Sequence, residues 1–165
     1  MCLLLSSAVS AEDSTLAVTG NVKASSCDVD TGSVNQKVKI GTFSGKDFPS
    51  VGSTSVFKAM NINLSNCYDK LKTIQVTFSG TSDADNPTLL ALTDAGGSGT
   101  LATGIGVELL DNSGKTIPFN KVSPQTFDLD AGNNTLSFLL RYKSTRYPVT
   151  PGEASAVMYF DLTYQ

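Results

Sequence analysis

Gly152-Glu153-Ala154-Ser155-Ala156-Val157-Met158-Tyr159-Phe160-Asp161-Leu162-Thr163-Tyr164-Gln165 is the stretch that decides the fold. Ala154, Ala156, Met158, Phe160, Leu162 and Tyr164 occupy every second position, and a period of two sets them on one face of a single strand. That face is predicted to be buried. Near the other end of the chain Ser14, Leu16, Val18, Gly20 and Val22 alternate in the same way, with Thr15, Ala17, Thr19 and Asn21 between them. A strand opening the chain and another closing it, each with a one-sided apolar edge, fits a domain finished by a strand from a neighbour. Two ordinary strands of one closed sandwich would show the same alternation.

The chain between these ends reads as strands and turns. Val34 to Ile40 and Val56 to Leu64 are candidate strands. Ile74, Val76 and Phe78 alternate with Gln75, Thr77 and Ser79, and Ile105, Val107 and Leu109 alternate with Gly106 and Glu108, so each run is predicted to have one inward face. Leu136, Phe138, Leu140 and Tyr142 alternate with Ser137, Arg141 and Lys143, while Leu139 breaks the polar side and is expected under a loop. Asp111-Asn112-Ser113-Gly114 predicts a hairpin joining Val107 to Leu110 with Thr116 to Phe119. Asp130 to Asn134 marks a second reversal, and Thr81 to Gly104 reads as a long loop around a short strand or turn at Leu89 to Leu92. No helical period lasts three turns. An all-β antiparallel sandwich is the predicted architecture.

Composition agrees and excludes several functions. Ser (20), Thr (18) and Gly (14) are abundant in 165 residues, a usage that favours strands and turns over helices. Twelve Lys and Arg against 15 Asp and Glu give a net charge of −3, with no basic excess to neutralise nucleic-acid phosphates. The length suits one globular domain. There is no His, hence no Ser-His or Cys-His pair. Gly96-Gly97-Ser98-Gly99-Thr100 fails the GxSxG nucleophile pattern at its fifth position, and Gly104-Ile105-Gly106 lacks the third glycine of a dinucleotide loop. Asp83, Asp85 and Asn86 read as a solvated acidic turn, lacking the other ligands of a Ca²⁺ loop. An enzyme, a cofactor, a metal and a small-molecule substrate are therefore not expected.

Residues 1–11 look like the tail of an export signal: Leu3 to Leu5 are apolar, and Val9-Ser10-Ala11 resembles a small-residue cleavage site. No basic residue precedes the apolar run, which is also short, so the match is partial and points to a start further upstream. Cleavage would remove Cys2 and leave Cys27 and Cys67. Their spacing, without His or a CxxC, does not suit a metal site. A disulfide in an oxidising compartment is the preferred reading, with two buried free thiols as its alternative.

Four local patterns resemble the pilin subunits of chaperone-usher fimbriae, closest to type 1 fimbrial subunits. Asp13 to Val22, running on to Cys27, is similar to a donor extension entering the first strand. Leu64-Ser65-Asn66-Cys67 resembles the second cysteine site, and Gly104 to Asp111 with Gly114 and Ile117 resembles the central hairpin. Arg141 to Thr145 leads to Val149-Thr150-Pro151-Gly152, with Gly152 fourteenth from the end and Tyr164 penultimate, the family spacing for a chaperone-recognised terminal strand.

The resemblance implies an incomplete immunoglobulin-like antiparallel β-sandwich lacking its last strand, with residues 12–22 as an N-terminal donor-strand extension and residues 23–165 as the pilin domain. It implies donation by Ser14, Leu16, Val18, Gly20 and Val22, and a groove edge built from Gly152, Ala154, Ala156, Met158, Phe160, Leu162 and Tyr164. The implied partners are a periplasmic chaperone, an outer-membrane usher and neighbouring pilins, for a subunit exported to the periplasm and then displayed on an extracellular fimbrium. The opening is more similar to minor adaptor subunits than to rod pilins. The competing reading is a single-domain sandwich that binds an extracellular glycan or protein directly.

Overall fold

The computed structural model describes residues 26–94, 99–120 and 124–165. The expected leader at residues 1–11 and the donor residues Ser14, Leu16, Val18, Gly20 and Val22 lie outside the described residues. Seven strands follow in chain order: β1 (Asp28–Val29), β2 (Lys58–Cys67), β3 (Thr73–Gly80), β4 (Ile105–Leu110), β5 (Gln125–Asp128), β6 (Gly132–Ser144) and β7 (Met158–Tyr164). One turn of helix, α1 (Thr31–Val34), sits between β1 and β2. The strands form two sheets, one ordered β1-β2-β6-β4 and the other β5-β3-β7, with every ladder antiparallel.

Alternation in the sequence becomes a core between the sheets. Met60, Ile62 and Leu64 of β2, Ile74, Val76 and Phe78 of β3, and Leu136, Phe138, Leu140 and Tyr142 of β6 are all buried. Phe138 is the junction. It meets Phe78 edge-on at 4.9 Å between ring centroids and Phe127 at 5.5 Å, so one ring from the first sheet touches two strands of the second. The Asp111 turn closes as expected: Asp111 Oδ1 accepts from the N–H of Ser113 and Lys115, Gly114 takes a φ of +82°, and Leu110 bridges Thr116. At the second reversal the Asn134 amide exchanges hydrogen bonds with the Asp130 backbone.

Several expectations need correction. Val34 begins no strand; it closes α1, because the Asp30 carbonyl accepts from both Ser33 and Val34 N–H, and buried Ser33 accepts from Asn63 N–H at 2.9 Å. Val56 and Phe57 precede β2 and are exposed. β4 has two buried faces rather than one. Leu89 lies over Gly106 on its outer side, so near that a Cβ there would stand 3.1 Å from the Leu89 Cβ. Residues 152–157 do not continue β7 either. Glu153 exchanges backbone hydrogen bonds with the 100–102 segment, and Thr150 with Thr103, drawing the chain away from β3.

Candidate strand-accepting slot

β7 has a partner on one side only among the described residues. Gln165 and Thr73 exchange both backbone hydrogen bonds, at 3.0 and 3.2 Å, which fixes the alternation of the ladder. The odd-numbered residues of β7 therefore face β3 with their N–H and C=O groups. Met158, Phe160, Leu162 and Tyr164 turn theirs to the open side, and their side chains are the ones that point inward. That row is only half-buried along its whole length, whereas the inward residues of β3 and β6 are almost wholly buried. Of the row expected on one strand face, Met158, Phe160, Leu162 and Tyr164 line the inward face of β7 while Ala154 and Ala156 precede the strand, and the full burial expected of all six is not observed, since nothing described covers the open flank.

A second segment without backbone pairing among the described residues packs on the same core. Residues 36–43 form no strand; Gln36, Val38 and Ile40 are half-buried in alternation, and the segment makes no backbone–backbone hydrogen bond with any described residue. Gln36 donates its side-chain amide to the Asn61 carbonyl at 2.8 Å. Phe43 packs edge-on against Tyr142, 5.9 Å between ring centroids. The Tyr142 hydroxyl donates to the Ala154 carbonyl at 2.6 Å, and the Tyr164 hydroxyl to the Cys27 carbonyl at 3.3 Å. Burial pushes both phenols up from their ordinary values, with Glu153 adding to the effect at Tyr142, so each remains a hydrogen-bond donor at neutral pH.

Cys27 and Cys67 are joined by a disulfide, tying the chain before β1 to the end of β2. Gly152 stands apart from the β7 row: a Cβ there would come within 2.4 Å of the backbone of Leu101 and Ala102. Among the described residues no cluster of His, Cys, Asp and Glu suits a metal ion.

Sequence reasoning missed one polar constellation. Glu108, 1% exposed, accepts from Arg141 Nε at 2.5 Å, Lys143 Nζ at 2.9 Å and Thr116 Oγ1 at 2.9 Å on the outer face of the first sheet. Burial raises the Glu108 carboxyl, but the hydrogen bonds from Lys143, Arg141 and Thr116 outweigh it and hold the group below its ordinary value. The available signal was the outward position of Glu108, Arg141 and Lys143 in their strands. Only the register pairing Glu108 with Arg141 brings them together.

An antiparallel two-sheet sandwich whose β7 edge and 36–43 segment are both without backbone partners among the described residues has the layout of an incomplete immunoglobulin-like domain. The chain belongs to the fimbrial protein family, whose sequence pattern matches residues 16–165. It is 46% identical over 155 residues to an uncharacterized fimbrial-like protein, YcbU, of Escherichia coli K12, covering 93% of this chain and 86% of that one. It is 35% identical over 162 residues to a type-1 fimbrial protein subunit of Serratia marcescens, covering 94% and 88%. The crystal structure of the P pilus rod subunit PapA superposes with a TM-score of 0.70 at 26% identity, covering 84% of this chain and 99% of that one. The chain is thus a structural fimbrial subunit, of the kind that assembles into fimbriae on the cell surface.

Proposed function

We propose that this subunit polymerises by donor-strand exchange in a chaperone-usher pathway. The observation that carries the reading is the half-buried row Met158 to Tyr164, whose open-side backbone groups have no partner among the described residues, together with the segment 36–43, which packs on the same core and is likewise without backbone pairing there. An added strand would pair with both edges and cover the row, a form of recognition in which backbone hydrogen bonds supply affinity and alternate side chains supply fit; chaperone–pilin complementation is a known instance. A periplasmic chaperone first lends the strand, the outer-membrane usher receives the subunit, and residues 12–22 of the next subunit then replace the loan. Ser14, Leu16, Val18, Gly20 and Val22 form the inserted side, with Gly20 at a shallow point of the slot. Gly152 to Tyr164 is the segment the chaperone engages, and the disulfide forms in the oxidising periplasm. The role is structural, with no catalytic step.

Appending a copy of residues 12–22 after Gln165 through a flexible linker tests the vacancy. A sharp rise in melting temperature is expected, and an unchanged one means the sandwich is already closed. Deleting residues 12–19 tests donation: the truncated subunit should fold with its chaperone and fail to attach to the next subunit, whereas normal polymerisation rules these residues out. The likeness of residues 13–22 to adaptor openings favours a minor component over a rod pilin. Antibody labelling confined to fibre tips is expected, and labelling along the shaft makes it a rod pilin.

A further inference from the structure

Tyr142 touches both walls of the slot. Its ring packs against Phe43 on the 36–43 side, and its hydroxyl reaches Ala154 on the β7 side. The carbonyl it reaches is particular. Thr93 N–H donates to the Ser155 carbonyl and Ser155 Oγ donates to the Thr93 carbonyl, so Ser155 is tied to the 91–93 segment, whose Ala91 N–H donates to the Thr81 carbonyl just past β3. The carbonyl of Ala154, one residue earlier, turns away from Thr93 and is held by the Tyr142 hydroxyl, just before the chain enters β7. It is the acceptor an inserted strand would meet on passing beyond β7.

We propose that Tyr142 is the end stop of the acceptor slot: by occupying the Ala154 carbonyl while bracing Phe43, it sets where a donated strand must cease to pair and how far apart the two edges stand. This rests on the donor-strand reading above. Tyr142 is a positioning residue, since it acts on the incoming strand through Ala154 and Phe43. Its inward place on β6 between Arg141 and Lys143 packs it among buried neighbours, since Leu140 and Ser144 on either side of it along the same face are also buried. Tyr164 supplies the comparable tie at the opposite end, to the Cys27 carbonyl, and leaves the ladder between them open. Continued antiparallel order would bring the Val22 end of a donor to Tyr142 and the Ser14 end to Tyr164.

The test uses the full chain with excess synthetic peptide spanning residues 12–22, 10–22 or 12–24, read by thermal melting and by circular dichroism for retained strand content. The wild type and Tyr142→Phe, which loses only the hydroxyl, are compared. In the wild type the 12–24 peptide should stabilise no more than the 12–22 peptide. In Tyr142→Phe the Ala154 carbonyl is free to accept from the longer strand, and 12–24 should exceed 12–22 by about 2–4 °C, the shift expected of one hydrogen bond in a domain of this size. The 10–22 peptide, lengthened at the other end, should show no such gain. Equal increments in both proteins for all three peptides would overturn the end stop while leaving the slot intact. A hydroxyl with a purely structural role lowers the empty and filled melting temperatures alike and changes no increment, which also overturns it. Failure of every peptide to stabilise the wild type overturns the vacant slot itself.

Discussion

Replacing Glu108 with Gln isolates the charge on the outer face of the first sheet without altering its shape. Glu108 is 1% exposed and joins three elements: β4, which carries it, β6, which carries Arg141 and Lys143, and the hairpin arm that carries Thr116. Removing one partner of a buried ion pair typically costs about 3–5 kcal/mol. Here Arg141 and Lys143 retain 20% and 28% of their side-chain exposure, and Arg141 also lies over the Phe57 ring at 5.0 Å, so part of their charge stays solvated. The expected loss for Glu108→Gln is therefore about 2–4 kcal/mol. Urea denaturation reads it as a lowered midpoint at unchanged slope, a drop of about 1–2 M for a slope near 2 kcal/mol/M. The pH dependence has a definite sign. Because the folded carboxyl lies below its ordinary value, its contribution is fully present above the unfolded value near 4.5 and is lost as pH falls through the folded one. The gap between wild type and Glu108→Gln should hold constant from neutral pH down to about pH 5 and then close in acid. Arg146→Ala, which removes an exposed pair with Asp85, should leave the midpoint unmoved. A Glu108→Gln midpoint equal to wild type at pH 7, or a gap that widens in acid, would refute the reasoning.

Two further outcomes follow from backbone geometry and covalent structure. Gly152→Ala places a methyl 2.4 Å from the Leu101–Ala102 backbone and should disturb the hydrogen bonds of Glu153 with Thr100 and Ala102; a loss of about 2–4 kcal/mol is expected in thermal or urea melts, and a change below about 0.5 kcal/mol would show that the segment yields freely. Replacing both Cys27 and Cys67 with Ala releases a link between residues 40 apart in sequence and should cost about 4 kcal/mol by loop entropy, measured by denaturation and compared with wild type under reducing agent, where the difference should vanish.

Much of the fold is legible in the chain because its long strands each bury one face. Thr73 to Gly80 and Leu136 to Ser144 alternate in burial against a common core, and a period of two is sufficient to find them even though Leu139 interrupts the polar side of the second. Where a strand is covered on both sides the rule fails: β4 alternates in composition, but Leu89 arrives from a remote loop to bury Gly106, which no local pattern announces. β5 went unread because four residues with two half-buried positions carry too little periodicity. The 152–157 stretch alternates like a strand, yet its backbone departs to pair with residues near 101, a choice made by tertiary contacts. The terminal row was visible in the sequence. That its flank is open among the described residues was expected only through the family resemblance, because unpaired backbone groups leave no mark on side-chain pattern.

The alternation within β7 also governs how misalignment would be punished. Met158, Phe160, Leu162 and Tyr164 would present both their amide groups and their side chains to one inserted strand. A visitor displaced by one residue would forfeit hydrogen bonds and side-chain fit together, since each shift of one reverses both. Displacement by two, about 6.8 Å, restores every hydrogen bond and mismatches only the side chains. Errors in seating should therefore come in even steps, with discrimination among them resting on which bulky and which small residues the guest carries.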